Sequence, residues 1–494
     1  GTINIITKEP LRNSGQLSHT ITSLGGSSSF DNNTSLNASL VTDDHRAGLY
    51  IFGQNRYRSG YDYDGDGFTE LPKLKNQTVG FRSYLKTSTY SKLTFEYHHM
   101  QEFRRGGDML NRPPHEAHIA EQLQHSIDGG SLKFDYFSPD EKNRLSVFAS
   151  AANTDRDSYY GPGNDPLKAY GKTTDLTAMG GAQYVHTFDK CFFMPSDLTA
   201  GLEYNRDRLK DNMWGYNRHT DQTVNIYSAF LQNEWKNDRW GILIGGRLDK
   251  HNMVDNVIFS PRANLRFNPT QNINLRLSYS SGFRAPQAFD EDMHIENVGG
   301  TVAMIERAKD LKEEKSQSFS ASADMYHRFG AFQTNLLIEG FYTRLTDVFV
   351  LGEPYDRGDG ILVKTRSNGP GAKVMGLTLE GKVAYLSILQ IQAGLTLQRS
   401  RYDEPHKWHD DAPAEKKIFR TPDTYGYFTA TCTPIKPLSI ALSGTYTGRM
   451  LVQRMDITAE NAELGKMPER KAEAIRTPRF FDLGVKLAYD FKLY

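Results

Sequence analysis

Residues 480–493 read FFDLGVKLAYDFKL. Phe481, Leu483, Val485, Leu487, Tyr489, Phe491 and Leu493 fall at every second position, with Asp482, Gly484, Lys486, Ala488, Asp490 and Lys492 between them. A period of two is that of a strand with one apolar face. Charged residues on the second face argue against a packed core there, because Asp and Lys are rarely buried without partners. The pattern recurs in residues 272–279 (NINLRLSY) and 438–446 (LSIALSGTY), among other stretches.

A soluble β-sandwich also alternates, so the connections decide. Short links stand at residues 43–46, 139–143, 236–239, 268–272, 327–330 and 434–437. Between them lie polar, Gly/Pro/His-rich stretches, often much longer, near 60–76, 103–127, 154–175, 211–222, 284–314, 352–361, 403–422 and 451–476. Tight turns at one end of a sheet and long loops at the other are the mark of an outer-membrane barrel. Closure is required in lipid, where an open sheet edge leaves amides unpaired at several kcal/mol each. The reading is all-β: a large antiparallel transmembrane β-barrel of roughly 20 strands, with short periplasmic turns and long extracellular loops.

Composition agrees. The 494 residues contain 59 basic and 59 acidic side chains, which leaves no basic footprint for nucleic acid. Aromatic residues make up 12% and hydrophobic residues only 38%, low for a packed soluble core of this size. No apolar run approaches the ~18 residues of a spanning helix. The two cysteines, Cys191 and Cys432, form neither a metal spacing nor a disulfide framework. No nucleophile elbow, phosphate loop or zinc-ligand set is present, so the chain does not read as an enzyme.

In these residues the chain resembles the barrel of a TonB-dependent outer-membrane receptor. Residues 1–10 (GTINIITKEP) resemble the closing strand of the plug that fills such barrels. Residues 281–291 (SGFRAPQAFDE) and 308–318 (AKDLKEEKSQS) resemble a strand and long outer loop of the family; 341–351 (FYTRLTDVFVL) and 368–381 (NGPGAKVMGLTLEG) resemble the segments that follow. The resemblance implies about 22 strands, so residues 11–494 are expected to form a barrel lacking its last hairpin, behind a plug of which only 1–10 is present. It further implies active import of a scarce metal chelate (iron siderophore, haem or cobalamin), energised by the TonB complex through the plug, with outer-membrane lipid and a surface lipoprotein as further partners. The alternative is a passive porin or adhesion barrel.

The most chemical stretch is 61–70, YDYDGDGFTE. Asp62, Asp64, Asp66 and Glu70 around Gly65 and Gly67 resemble half of an oxygen-ligand calcium loop, and equally a solvated Asp-Gly turn. Arg104 and Arg105, with Arg112, are candidates to hold an anionic chelate, or else lipopolysaccharide phosphates. Trp214, Tyr216 and Trp408 are candidates to stack on a planar ligand, or else belong to the aromatic girdle. His294 lies in the interval where haem-importing members of the resembling family place an iron ligand.

Overall fold

The computed structural model describes residues 9–162, 169–293, 296–298, 301–359, 361–408, 412–457 and 470–491. Among these the main sheet has 21 strands. One is the three-residue strand Glu415–Lys417, which pairs beside its neighbour; the other twenty run as a single antiparallel meander from Ser14–Ser23 to Phe480–Tyr489.

Side chains alternate as the sequence requires. Ile244 (57% exposed), Leu277, Phe319, Leu377, Leu397 and Leu483 stand outward and exposed, although all are large and apolar. A contiguous apolar exterior of this extent belongs to lipid, not water. An apolar concavity of about 1170 Å³ lined by Ile244, Leu277, Phe319, Met375 and Leu397 lies on this outward face and is a groove between lipid-facing side chains.

The connections sort by rim. At the inner rim all six expected short turns are found, together with three more, between Ser88 and Ser91, Cys191 and Met194, and Tyr385 and Leu389. Two turns share one device. Thr42 donates its hydroxyl to Asp44 at 2.6 Å and Arg46 N–H donates to the same carboxylate at 3.0 Å. Ser138 likewise bonds Asp140, which also accepts from Lys142 N–H at 3.1 Å. In both, the next residue, His45 or Glu141, takes a left-handed conformation with φ of 53° or 57°. The acid two residues after the hydroxyl satisfies backbone donors that the turn cannot pair.

At the outer rim the expected loops are shorter than their sequences suggested. Residues 103–127, 154–175 and 211–222 are largely strand, within Ser91–Gly107, Ile119–Phe137, Asn143–Pro162, Tyr170–Cys191, Met194–Met213 and Arg218–Lys236. Up to 22 residues long, these strands exceed the ~9–11 residues that a bilayer needs. Their outer halves stand above the bilayer, where outward positions such as Arg206, Arg208 and Lys210 are polar and inward ones mix buried Asp211 with apolar Leu209 and Met213, so the lipid-type alternation fades. They form a tall wall on one side of the mouth.

Each terminal strand of the meander pairs on one side only among the described residues. Ahead of the first, Glu9 accepts from Lys92 Nζ at 2.8 Å. Lys92 points into the lumen near the inner rim, so the chain reaches the first strand from inside the barrel. Residues 1–8 lie outside the described residues.

The lipid face and lumen face must respond oppositely to charge. Ile244→Arg, at the middle of the outward band, should destabilise the barrel by about 2–4 kcal/mol in urea unfolding from lipid vesicles. Asn264→Arg, one strand away on the lumen face, should change it by less than about 0.5 kcal/mol.

Candidate ligand chamber at the outer mouth

Two outer loops, 285–313 and 347–371, do not stay apart. Their strands Glu296–Val298, Thr301–Arg307, Leu362–Asn368 and Phe349–Asp356 form one four-stranded sheet, in which Thr301–Arg307 runs parallel to Leu362–Asn368. Parallel pairing joins segments from different hairpins, so the two loops are one body at the mouth. Arg284, in the FRAP stretch, explains part of this. Its guanidinium lies 4.1 Å from the Phe289 ring centroid and 5.3 Å from that of Phe349, one aromatic from each loop.

The body docks on the tall wall by apolar and ionic contacts. Met304 and Ile361 are buried in a cluster with Tyr160, Met213 and Tyr216 of the wall. Arg366 pairs with Asp292 at 2.9 Å, both nearly fully buried. Arg218 holds Asp211 at 2.8 Å and donates to Met293 O at 3.0 Å, while Thr173 donates to the other oxygen of Asp211 at 2.6 Å. Arg307 donates to Gln222 Oε1 at 2.7 Å and Arg357 to Tyr216 O at 2.7 Å. At the outer end of its strand, His251 is fully buried; its Nδ1 accepts from Met253 N–H at 3.0 Å, which leaves Nε2 to donate to Gln287 Oε1 at 3.2 Å. Burial holds the His251 pKa below its ordinary value. The bond from Met253 N–H to Nδ1 is therefore intact above the ordinary histidine range and is lost as the pH falls through the lowered value, because the added proton occupies the accepting lone pair.

Near the outer ends of their strands, Arg56, Arg58 and Arg104 share the lumen face with Asp31 and Glu102. Arg56 Nη2 lies 2.5 Å from Asp31 Oδ2 and holds that carboxyl below its usual range. Arg104 pairs with Glu102 at 3.0 Å, and Glu102 also accepts from Asn76 at 3.1 Å. Burial pulls Arg58 down while Asp31 pulls it up, and Arg104 and Arg56 bear on it as like charges. Three guanidiniums meet two carboxylates here, an excess positive charge at the mouth.

The residues singled out in the sequence are dispersed. Arg104 joins this cluster, but Arg105, next along the strand, points to the other face, is 1% exposed, and donates to the carbonyls of Gly106 and Asp108, the latter at 3.0 Å. Arg112 stands exposed in the loop between, so the three arginines do not converge. Trp214 is 57% exposed at a loop tip, whereas Tyr216, two residues on, is 3% exposed and donates its hydroxyl to Tyr160 O at 3.0 Å. Ring stacking on a ligand is thus open to Trp214 and closed to Tyr216 in this arrangement. Trp408 is half-buried, edge-on to Phe419 with centroids 6.2 Å apart. His294 lies outside the described residues. Asp62, Asp64, Asp66 and Glu70 do come together, with one oxygen from each lying within 4.8 Å of the others. Gly65 and Gly67, at φ of 80° and 92°, allow the turn that gathers them. Arg56 and Arg58 were not singled out. Their signal was the alternation of QNRYR, which puts both on the face opposite Tyr57.

The sequence matches the family "TonB dependent receptor-like, beta-barrel" over residues 6–494. The chain belongs to the TonB-dependent receptor family. This receptor barrel is an outer-membrane transport protein and not an enzyme. No curated protein matches its sequence. Solved structures similar in fold include the siderophore receptor PirA of Acinetobacter baumannii (TM-score 0.76, 15% identity, covering 99% of this chain and 76% of that one). The ferric enterobactin receptor PfeA of Pseudomonas aeruginosa gives a TM-score of 0.77 at 15% identity, covering 99% and 75%. The outer-membrane transporter YddB of Escherichia coli gives 0.67 at 10%, covering 93% and 69%. At these identities the likeness is one of fold.

The Arg366–Asp292 pair should hold the receptor's two-loop body in place. Asp292→Ala removes the carboxylate that faces the buried Arg366 guanidinium and should cost the docking about 3–5 kcal/mol. Hydrogen exchange of 301–307 and 362–368 should speed markedly, with exchange in Ile273–Arg284 unchanged.

Proposed function

We propose that the receptor imports an anionic ferric chelate, of the siderophore class, captured at the outer mouth and driven inward by TonB. The observation that carries the reading is the lumen-facing set Arg56, Arg58 and Arg104, which leaves positive charge uncompensated where a ligand would enter. Guanidiniums suit planar, multiply anionic ligands because they donate in a fixed fork. The solved siderophore and ferric enterobactin receptors of similar fold support the same class. Trp214, exposed at the rim, is the aromatic we assign to stack on such a ligand, with Trp408 as a second. Coupling to TonB requires a plug, and the Glu9–Lys92 contact supports a chain that approaches the first strand from the lumen side, where a plug would lie.

Calorimetric titration of the complete receptor with a ferric siderophore panel, haemin and cyanocobalamin tests this. A ferric siderophore should bind, and Arg56→Ala/Arg104→Ala should weaken it at least tenfold. Binding of haemin alone would overturn the reading and direct attention to His294.

A second reading rests on the acidic loop. Oxygens within 4.8 Å of one another match the span of a calcium shell with ligands at ~2.3–2.6 Å. At present Asp62 accepts from Gly65 and Gly67 N–H at 2.7 and 2.9 Å, and Glu70 from Tyr63 N–H at 2.5 Å, so an ion would share these carboxylates with the turn. Calcium ordering of this loop would favour cobalamin as cargo. Under this reading, calcium should bind the receptor in isothermal titration, Asp64→Asn/Asp66→Asn should abolish the heat, and cyanocobalamin binding should fall on chelation.

A further inference from the structure

The outward face of strand Met194–Met213 changes character abruptly. Leu198, Ala200, Leu202 and Tyr204 are followed by Arg206, Arg208 and Lys210 at alternate positions, and all three cations are exposed. The change falls at the aromatic girdle. Tyr204 meets Tyr227 of the next strand, ring centroids 4.9 Å apart, and bonds Asn225 at 2.8 Å. The three cations therefore begin where the apolar band ends, on the loop side, at the level of lipid headgroups.

Arg206 faces Ala178 and Asn225 across the ladder, and Arg208 faces Leu176 and Thr223, so no carboxylate stands directly beside either. Lys210 faces Thr174 and Asp221 and lies 3.6 Å from the Asp221 carboxylate. Further along this face, Asp155 lies beyond Thr174, and Asp157 stands opposite Lys172. Among the described residues neither Arg206 nor Arg208 takes an ion-pair partner. Their attachment points are only about 7 Å apart, and like charges at that spacing repel unless an anion lies between them.

We propose that Arg206 and Arg208 bind the phosphate of an outer-leaflet glycolipid, whose acyl chains run down the exposed Leu202, Leu231 and Leu248. The surface continues the lipid-facing band, its charge complements a phosphate monoester, and two guanidinium forks suit one phosphate group. The lipid thus seats against the tall wall that carries the loop-docking contacts on its inner face.

Native mass spectrometry of the purified full-length receptor tests this. It would be titrated in separate arms with diphosphoryl lipid A, dephosphorylated lipid A and phosphatidylglycerol. Diphosphoryl lipid A should be retained, and Arg206→Ser/Arg208→Ser should lower retention about tenfold or more. Arg206→Lys/Arg208→Lys should keep most of it, and heat-modifiable gel migration confirms that each variant is folded. Undiminished retention by the folded serine variant would overturn the site, as would equal binding of dephosphorylated lipid A. Equal or tighter binding of phosphatidylglycerol would overturn the assignment to a glycolipid.

Discussion

Everything in this protein follows from one requirement: a backbone amide in hydrocarbon has no water to bond, so the ladder must pair it. That requirement imposes strands, joins each to its neighbour in sequence, and makes side chains alternate between lipid and lumen. It also divides the connections. The inner turns need only reverse the chain, and Thr42–Asp44 and Ser138–Asp140 do so with their own side chains. The outer connections are released from the constraint and carry the chemistry.

Beyond the bilayer the same ladder serves another purpose. Strands such as Tyr170–Cys191 continue into water and make a wall against which loops can fold. The docking is unusually ionic. Asp211 is 1% exposed yet bonds Arg218 and Thr173, and Asp292 is met by Arg366. Buried pairs of this kind contribute little net stability but penalise a misplaced loop heavily, which suits a chamber whose shape must be specific.

Fold class was legible because lipid exposure writes itself as period two, clearest in Phe481–Phe491. The turns were legible from their short polar links. Strand length was not: between Gln101 and Gly107, or Asn153 and Pro162, polar residues occupy both faces and the burial of Arg105, Tyr159 and Tyr160 comes from tertiary packing, so hydrophobicity carries no period and the residues resemble loop. The candidate site was legible only in parts. Asp62, Asp64, Asp66 and Glu70 are close in sequence, and local turns gather them. Arg104 and Arg105 are equally close, but adjacent strand residues point to opposite faces, and the ladder separated them.

The sequence by itself determined the architecture: an antiparallel sheet with an apolar exterior, a polar lumen and one elaborated rim. These are consequences of local periodicity, which the membrane-spanning part of a strand such as Phe481–Tyr489 displays within ten residues. Tertiary structure alone decided the chamber. It brought Arg104 to Arg56 and Arg58, joined loops 285–313 and 347–371 through a parallel pair, and buried Tyr216 while leaving Trp214 exposed. Such contacts link residues tens to more than a hundred positions apart, and their partners are set by the geometry of the wall and not by any local pattern.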